Sequence, residues 1–227
     1  MNVFDNVAYP LKIAGAKKEE IKERVEKVLD LLEKEYPEAG CALNHKSVYE
    51  LLVCVTLSAQ TTDVSVNKIS PELFAKYPDA FAMSKAEVGD VEKIIKTIGM
   101  YKTKSARIIE QAGILVKEYS GEVPESDELL VQLPGVGRKT ANVVMSVGFG
   151  HQRIAVDTHV FRVSNRIGIA KGKDVEKTEE SLKKNIPGNR WSRTHHLLIF
   201  HGRNCCHARN PKCSTCVIQD FCKKLGV

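Results

Sequence analysis

The chain has 227 residues, of which 43% are apolar, enough for one large domain or two small ones with a real core. No apolar run approaches the ~18 residues a membrane span needs, so no membrane partner is expected. The net charge of +6 is uneven: residues 1–40 hold seven basic and nine acidic side chains, residues 185–227 seven basic and one acidic, which points to a polyanion at the C-terminal end.

Residues 1–16 show no clear period and are expected to form an arm; they also lack the basic-then-apolar pattern of a secretory signal, so the expected location is intracellular. Lys17 to Glu35 reads as an amphipathic helix with Ile21, Val25, Val28, Leu29 and Leu32 on one stripe, ended by Tyr36-Pro37. Residues 48–59 are apolar almost all round and predict a buried helix. Ser58 to Asp63 is a polar break, and Asp63 or Thr62 can cap the helix that follows. Pro71 is expected to start a further turn, to about Tyr77. Ser84 with Glu87 fits a capping box, and a helix from about Val91 to Ile98 is expected to stop at Gly99. Helices are predicted over 101–119, over Thr158 to Ile167 with Asp157 at the N-cap, over Asp174 to Lys184 and over Arg190 to Arg203. Alternating period-two runs are absent, so the predicted class is all-α.

The stretch 133–144, Leu-Pro-Gly-Val-Gly-Arg-Lys-Thr-Ala-Asn-Val-Val, sits at the centre of this pattern. A helix from about Ser126 to Leu133 runs into it. Pro134, Gly135 and Gly137 permit a tight reversal, and a second helix starts at Arg138 with Ala141, Val144, Met145 and Gly148 on one face. A helix–hairpin–helix of this kind turns backbone N–H groups and the positive end of a helix dipole toward an anion, with a polymer phosphate the obvious candidate. Lys139 lies in the first turn of the second helix. Its neighbour Arg138 and the helix N-terminus both disfavour an ammonium, which suits a nucleophilic amine. The competing reading is a solvated lysine that touches phosphate.

Five of the seven cysteines fall between Cys205 and Cys222. An odd total, without an export signal, argues against a disulfide framework and for a metal site. Cys206, Cys213, Cys216 and Cys222 read C-x6-C-x2-C-x5-C. Four-cysteine zinc sites usually use two C-x2-C knuckles, and only one is present; a [4Fe–4S] cube accepts irregular spacing, so the pattern favours the cluster and leaves zinc as the alternative. Cys205 is a possible substitute ligand. His201 and His207 could also ligate, although such histidines are more often surface groups. Arg203, Arg209, Lys212, Lys223 and Lys224 frame the site. Cys41 and Cys54 read as small core residues.

Together, Leu-Pro-Gly-Val-Gly-Arg-Lys-Thr-Ala-Asn at 133–142, Val-Asp-Thr-His at 156–159, Leu-Ser-Ala-Gln-Thr-Thr-Asp-Val-Ser-Val-Asn-Lys at 57–68, Ile-Lys-Thr-Ile-Gly at 95–99 and the 6-2-5 cysteine spacing resemble the endonuclease III family. The resemblance covers about residues 17–222. It implies two helical lobes: a six-helix barrel domain with the hairpin over 41–152, and an iron–sulfur domain from 17–40 plus 153–227. It implies base excision repair, with an N-glycosylase for oxidised pyrimidines and an abasic-site lyase working through a Lys Schiff base. Lys139 corresponds to the nucleophile and Asp157 to the catalytic carboxylate, although Asp157 also reads as a plain N-cap. Cys206, Cys213, Cys216 and Cys222 correspond to the [4Fe–4S] ligands, Cys206 being preferred to Cys205 because it keeps the family spacing.

Gln60 and the Gly99-Met100-Tyr101 turn match the loops this family inserts into the duplex, with Met100 where a leucine is common; its plain alternative is core packing. Gly135, Val136, Gly137, Arg138 and Thr140 complete the DNA-contacting hairpin, and Arg162 and Arg166, one helical turn apart, are expected at phosphates. The implied partner is double-stranded DNA with damaged bases or abasic sites, bound by a monomer in the cytoplasm or nucleoid, with an affinity that falls as salt rises. Relatives that lack lyase activity generally lack a lysine at position 139. The rival readings are a helix-hairpin-helix glycosylase for mismatched or alkylated bases, a non-catalytic iron–sulfur DNA-binding protein, and a zinc-stapled transcription factor.

Overall fold

The computed structural model describes residues 3–227, with side chains from Glu19 onward, and the described residues are helical with no strand. The chain divides into two compact units, one taking the chain up to Gly40 together with Ile154–Val227, the other Cys41–Arg153.

The first unit begins with α1 (Val3–Glu35). This helix reaches back through most of the stretch expected to be an arm. A helix needs favourable residues, not an amphipathic stripe, and Leu11, Lys12, Ala14, Ala16 and Lys17 are good helix formers. Val25, Val28, Leu29 and Leu32 form its fully buried stripe, as their spacing predicts.

The second unit holds α2 (Val48–Leu57), α3 (Asp63–Lys76), α4 (Ala80–Ser84), α5 (Val88–Ile95), α6 (Tyr101–Tyr119), α7 (Asp127–Leu130) and α8 (Arg138–Val143). Nearly every residue of α2 is buried, so it is the central rod of this unit. Its N-cap is Ser47, whose hydroxyl accepts from the Glu50 N–H. Thr62 caps α3 in the same way, through the Ser65 N–H. Pro71 lies inside α3 and does not restart it; buried Ile69 and Leu73 on either side hold the helix through the missing N–H. Asp79 caps the short α4, an element the sequence pattern did not reveal. Ser84 closes that helix, its hydroxyl turned back to the Phe81 carbonyl, so the expected capping box with Glu87 does not form. α8 runs on through one π-helical turn, Val144–Gly148. A Cβ on Gly148 would come within 2.9 Å of Val48 Cγ1, so this glycine lets the turn close on α2.

The chain returns to the first unit with α9 (Thr158–Ile167), α10 (Val175–Asn185) and α11 (Trp191–Asn204). Val160, Val163, Ile167, Leu182, Leu197, Leu198 and Ile218 meet the α1 stripe in one core. Arg24 of α1 donates to the carbonyls of Ile167 (3.1 Å), Gly168 (2.6 Å) and Phe221 (2.8 Å), fastening the N-terminal helix to the end of α9 and to the cysteine-rich tail.

His196, on α11, is held neutral: burial, then the neighbouring His195 and Arg193, depress its pKa to about 4. The unfolded chain takes up that proton near pH ~6.5, so the folded state loses stability as pH falls through the window from about 6.5 to about 4. Urea midpoints at pH 7 and pH 5 are expected to show the lower value at pH 5, and His196→Gln is expected to narrow the difference, the buried His201, also held to about 4, supplying the rest.

Candidate active site and metal centre

The hairpin is built from its own packing. Ser126 caps α7 through the Leu129 N–H, and Leu133 and Val136 are buried. The Val136 N–H donates to the Leu133 carbonyl at 3.0 Å, closing the turn. Val136, expected at DNA, therefore spends its side chain and its N–H on the hairpin's interior. Gly135 sits at φ +78, and a Cβ there would meet Arg107 Cδ at 3.0 Å, so both backbone conformation and close approach require glycine. Gln111 of α6 donates to the Pro134 carbonyl and to Thr56 Oγ1 of α2, so three elements fix the turn.

Gly137 is the N-cap of α8 and offers no side-chain oxygen to its first turn. Arg138 and Lys139 are exposed there, with Thr140 half-buried. The Lys139 amine is thus presented on the surface beside the hairpin.

Two further loops of this unit lie side by side. Gln60 and Met100 both adopt left-handed backbone, φ 53 and φ 56. Such conformations cost about 1–3 kcal/mol at a non-glycine residue and persist only where the surroundings impose them. Both side chains are exposed, Met100 by 49%, so core packing does not account for Met100. A Cβ on Gly99 would lie 4.0 Å from the Gln60 carbonyl, which places the turns next to each other.

Lys104 joins the two loops: its Nζ donates to Thr61 Oγ1 at 2.7 Å and its backbone N–H to the Met100 carbonyl at 3.0 Å. It is only 2% exposed, and burial lowers its pKa. Lys104 escaped the sequence reading, although its position on the buried stripe of α6 with Ser105, Ile108, Gln111 and Leu115 was the available signal. Lys104→Met keeps the side-chain volume and removes the tie. The expected result is a retained fold and affinity for an abasic duplex weakened about tenfold, the worth of one charged hydrogen bond, read by fluorescence anisotropy.

In the other unit, Asp157 caps α9. Its Oδ1 accepts from the N–H groups of His159 (2.9 Å) and Val160 (2.8 Å), and Oδ2 lies 3.1 Å from His159 Nδ1. Arg162 and Arg166, expected at phosphates, turn into the cysteine loop instead. Arg162 donates to the carbonyls of Gly202 and Cys206, and Arg166 to those of His207 (2.6 Å) and Ala208 (3.0 Å). Loop carbonyls outside regular structure need donors, and a guanidinium fork supplies several at once.

All five clustered cysteines line one cavity, together with Arg166, His201 and Lys212. Donors already point at the sulfurs: the Lys224 N–H to Cys222 Sγ at 3.4 Å, Arg166 to Cys206 Sγ at 3.8 Å, with His201 Nε2 3.6 Å from Cys216 Sγ. Tyr36 Oη in turn lies 3.3 Å from His201 Nδ1. His201 is thus a buried link between Tyr36 and a cysteine, not the surface group its type suggested. Burial first, then the neighbouring sulfurs, push the Cys205 thiol up to about 12; burial also raises Cys222. Clustered thiols with N–H donors aimed at their sulfurs fit an iron–sulfur centre.

The family model for HhH-GPD superfamily base excision DNA repair proteins matches residues 53–188. The model for the iron–sulfur binding domain of endonuclease III matches residues 206–222, which begin at Cys206 and end at Cys222. Hairpin, thiol pocket and these two matches accordingly define a helix-hairpin-helix base excision DNA repair protein with an iron–sulfur domain.

Endonuclease III of Escherichia coli strain K12 is 48% identical over 196 residues, covering 86% of this chain and 93% of its own. Endonuclease III of Bacillus subtilis strain 168 is 44% identical over 202 residues, covering 88% and 92%. A solved trapped endonuclease III–DNA covalent intermediate matches with a TM-score of 0.83 at 44% identity, over 89% of this chain and 96% of that one. A thermostable thymine-DNA glycosylase matches at 0.79 with 25% identity over the same shares. The chain belongs to the endonuclease III family. Its cofactor is a [4Fe–4S] cluster, and the matched iron–sulfur segment holds Cys206, Cys213, Cys216 and Cys222.

Proposed function

We propose that Lys139 and Asp157 carry the reaction by which this protein removes oxidised pyrimidines from double-stranded DNA and then cuts the strand. As a member of the endonuclease III family, the protein is a base excision repair glycosylase and abasic-site lyase. The observation that supports the residue assignment is the exposed Lys139 amine in the first turn after the hairpin, in a chain similar to one solved as a covalent intermediate with DNA.

Breaking the C1′–N bond sends the pair of electrons out with the base and builds positive charge on C1′ and the ring oxygen. The Asp157 carboxylate offsets that charge and helps take a proton from the amine. Lys139 Nζ forms a bond to C1′, the ring oxygen leaves as the hydroxyl, and an imine results. The imine acidifies the C2′ proton. Its removal drives departure of the 3′ phosphate with the C3′–O pair, cutting the strand 3′ to the lesion, and water then frees the lysine.

The base must leave the stack before any of this. Gln60 and Met100 enter the duplex in its place, a role that suits exposed side chains on imposed, strained turns. The N-terminal turn of α8 holds a backbone phosphate. The cluster acts as a structural centre that orders the loop bearing Arg203, Arg209, Lys212, Lys223 and Lys224 beside the DNA. The protein acts as a monomer on chromosomal DNA.

A duplex carrying one thymine glycol tests the substrate class. Release of the damaged base well above the rate on a mispaired-thymine duplex is expected, and turnover at background would remove the oxidised-pyrimidine assignment.

A further inference from the structure

Five thiols line the cavity, whereas a cube takes four. Family spacing selects Cys206, yet it is the Cys205 sulfur that lies with Cys216 Sγ and a His201 ring nitrogen, all within 4.8 Å of one another. We propose that Cys205 is a reserve ligand that takes the place of Cys206 on the cluster. The proposal rests on reading this pocket as the [4Fe–4S] site.

The backbone makes the exchange local. Cys205 is the C-cap of α11, and the N–H groups of Cys205 and Cys206 both donate to the His201 carbonyl, at 3.0 and 2.8 Å. Both sulfurs therefore hang from one anchored point at the rim of the cavity. Cys205 Sγ already faces inward across the loop, 3.6 Å from the Lys212 carbonyl. The Cys206 carbonyl is held by Arg162, a contact that survives any change of the Cys206 side chain. The loop thus keeps its shape when that sulfur is lost. In the exchange the Cys205 thiol gives up its proton as its sulfur bonds to iron, and the Cys206 sulfur regains one as its iron bond breaks; no electron moves. Cys213, Cys216 and Cys222 have no neighbouring cysteine, so the tolerance is confined to one of the four ligand positions.

Iron and sulfide content, the visible thiolate-to-iron absorption and iodoacetamide labelling of Cys205 read by mass spectrometry test the idea together. Cys206→Ser is expected to retain about four irons per chain and the absorption band, and Cys205 is expected to pass from labelled in the wild type to shielded in the variant. Cys216→Ser and the double variant Cys205→Ser/Cys206→Ser are expected to lose the cluster. A Cys206→Ser protein that holds no iron or is insoluble overturns the proposal. So does a double variant that keeps the cluster as well as Cys206→Ser does. Wild type holding zinc without iron or sulfide removes the cluster reading itself, a result distinct from failure of the exchange.

Discussion

Lys139→Ala leaves no covalent adduct when borohydride is added to the protein on a duplex carrying one abasic site, and strand cleavage falls by about three orders of magnitude or more, the scale expected when a covalent nucleophile is deleted. The side chain is exposed in the first turn of α8, where alanine is the best helix former, so the substitution leaves the fold and its melting temperature in place. Lys139→Arg separates charge from nucleophilicity: a guanidinium keeps the phosphate attraction but forms no imine, so duplex affinity persists while trapping is lost. Gel mobility of the protein–DNA adduct reads the trapping and anisotropy the affinity. An adduct that survives Lys139→Ala assigns the chemistry to another amine. No adduct from iron-replete wild type removes the imine route altogether.

The parts of the fold and site that could be read in the sequence are those whose cause is local. α9 begins at Thr158 and ends at Ile167 as its cap, Asp157, and its terminal glycine, Gly168, indicate. α6 spans Tyr101–Tyr119, and its end is legible from Gly121, whose N–H donates to the Leu115 carbonyl at 2.8 Å. The cysteine spacing is legible because four ligands within one loop carry their geometry in their sequence separation. What escaped depends on distant partners. Arg24 earns its place through carbonyls about 140 to 200 residues away, His201 through Tyr36, Gln111 through Thr56 and Pro134, and Lys104 through Thr61. Arg162 and Arg166 show the converse, since their guanidinium groups donate to carbonyls of the cysteine loop. Their helical spacing is legible in the sequence, whereas the need of nearby loop carbonyls for donors depends on residues about 40 positions away. Pro71 favours a helix start because propensity is local, while the burial of Ile69 and Leu73 that overrides it is not.

Asp157 carries two functions that substitution can separate. As a cap, it needs only an oxygen placed to accept from the His159 and Val160 N–H groups, and asparagine supplies one about as well as aspartate. As a catalytic group it needs the negative charge, which asparagine lacks. Asp157→Asn is therefore expected to melt close to the wild type while base release slows by about 10²- to 10⁴-fold, the usual contribution of a positioned acid–base group. Asp157→Ala loses both functions: the same loss of rate is joined by about 1 kcal/mol of destabilisation, a drop in melting temperature of roughly 2–4 °C for a chain of this size. Calorimetry and single-turnover base release on the two variants form the test. If Asp157→Asn releases base within about twofold of the wild-type rate, the carboxylate's charge is dispensable, and capping α9 is its whole contribution. If it is slow and as stable as the wild type, the same carboxylate that starts a helix through Oδ1 also stabilises the sugar's positive charge, and the cap is what keeps it in a fixed orientation for that task.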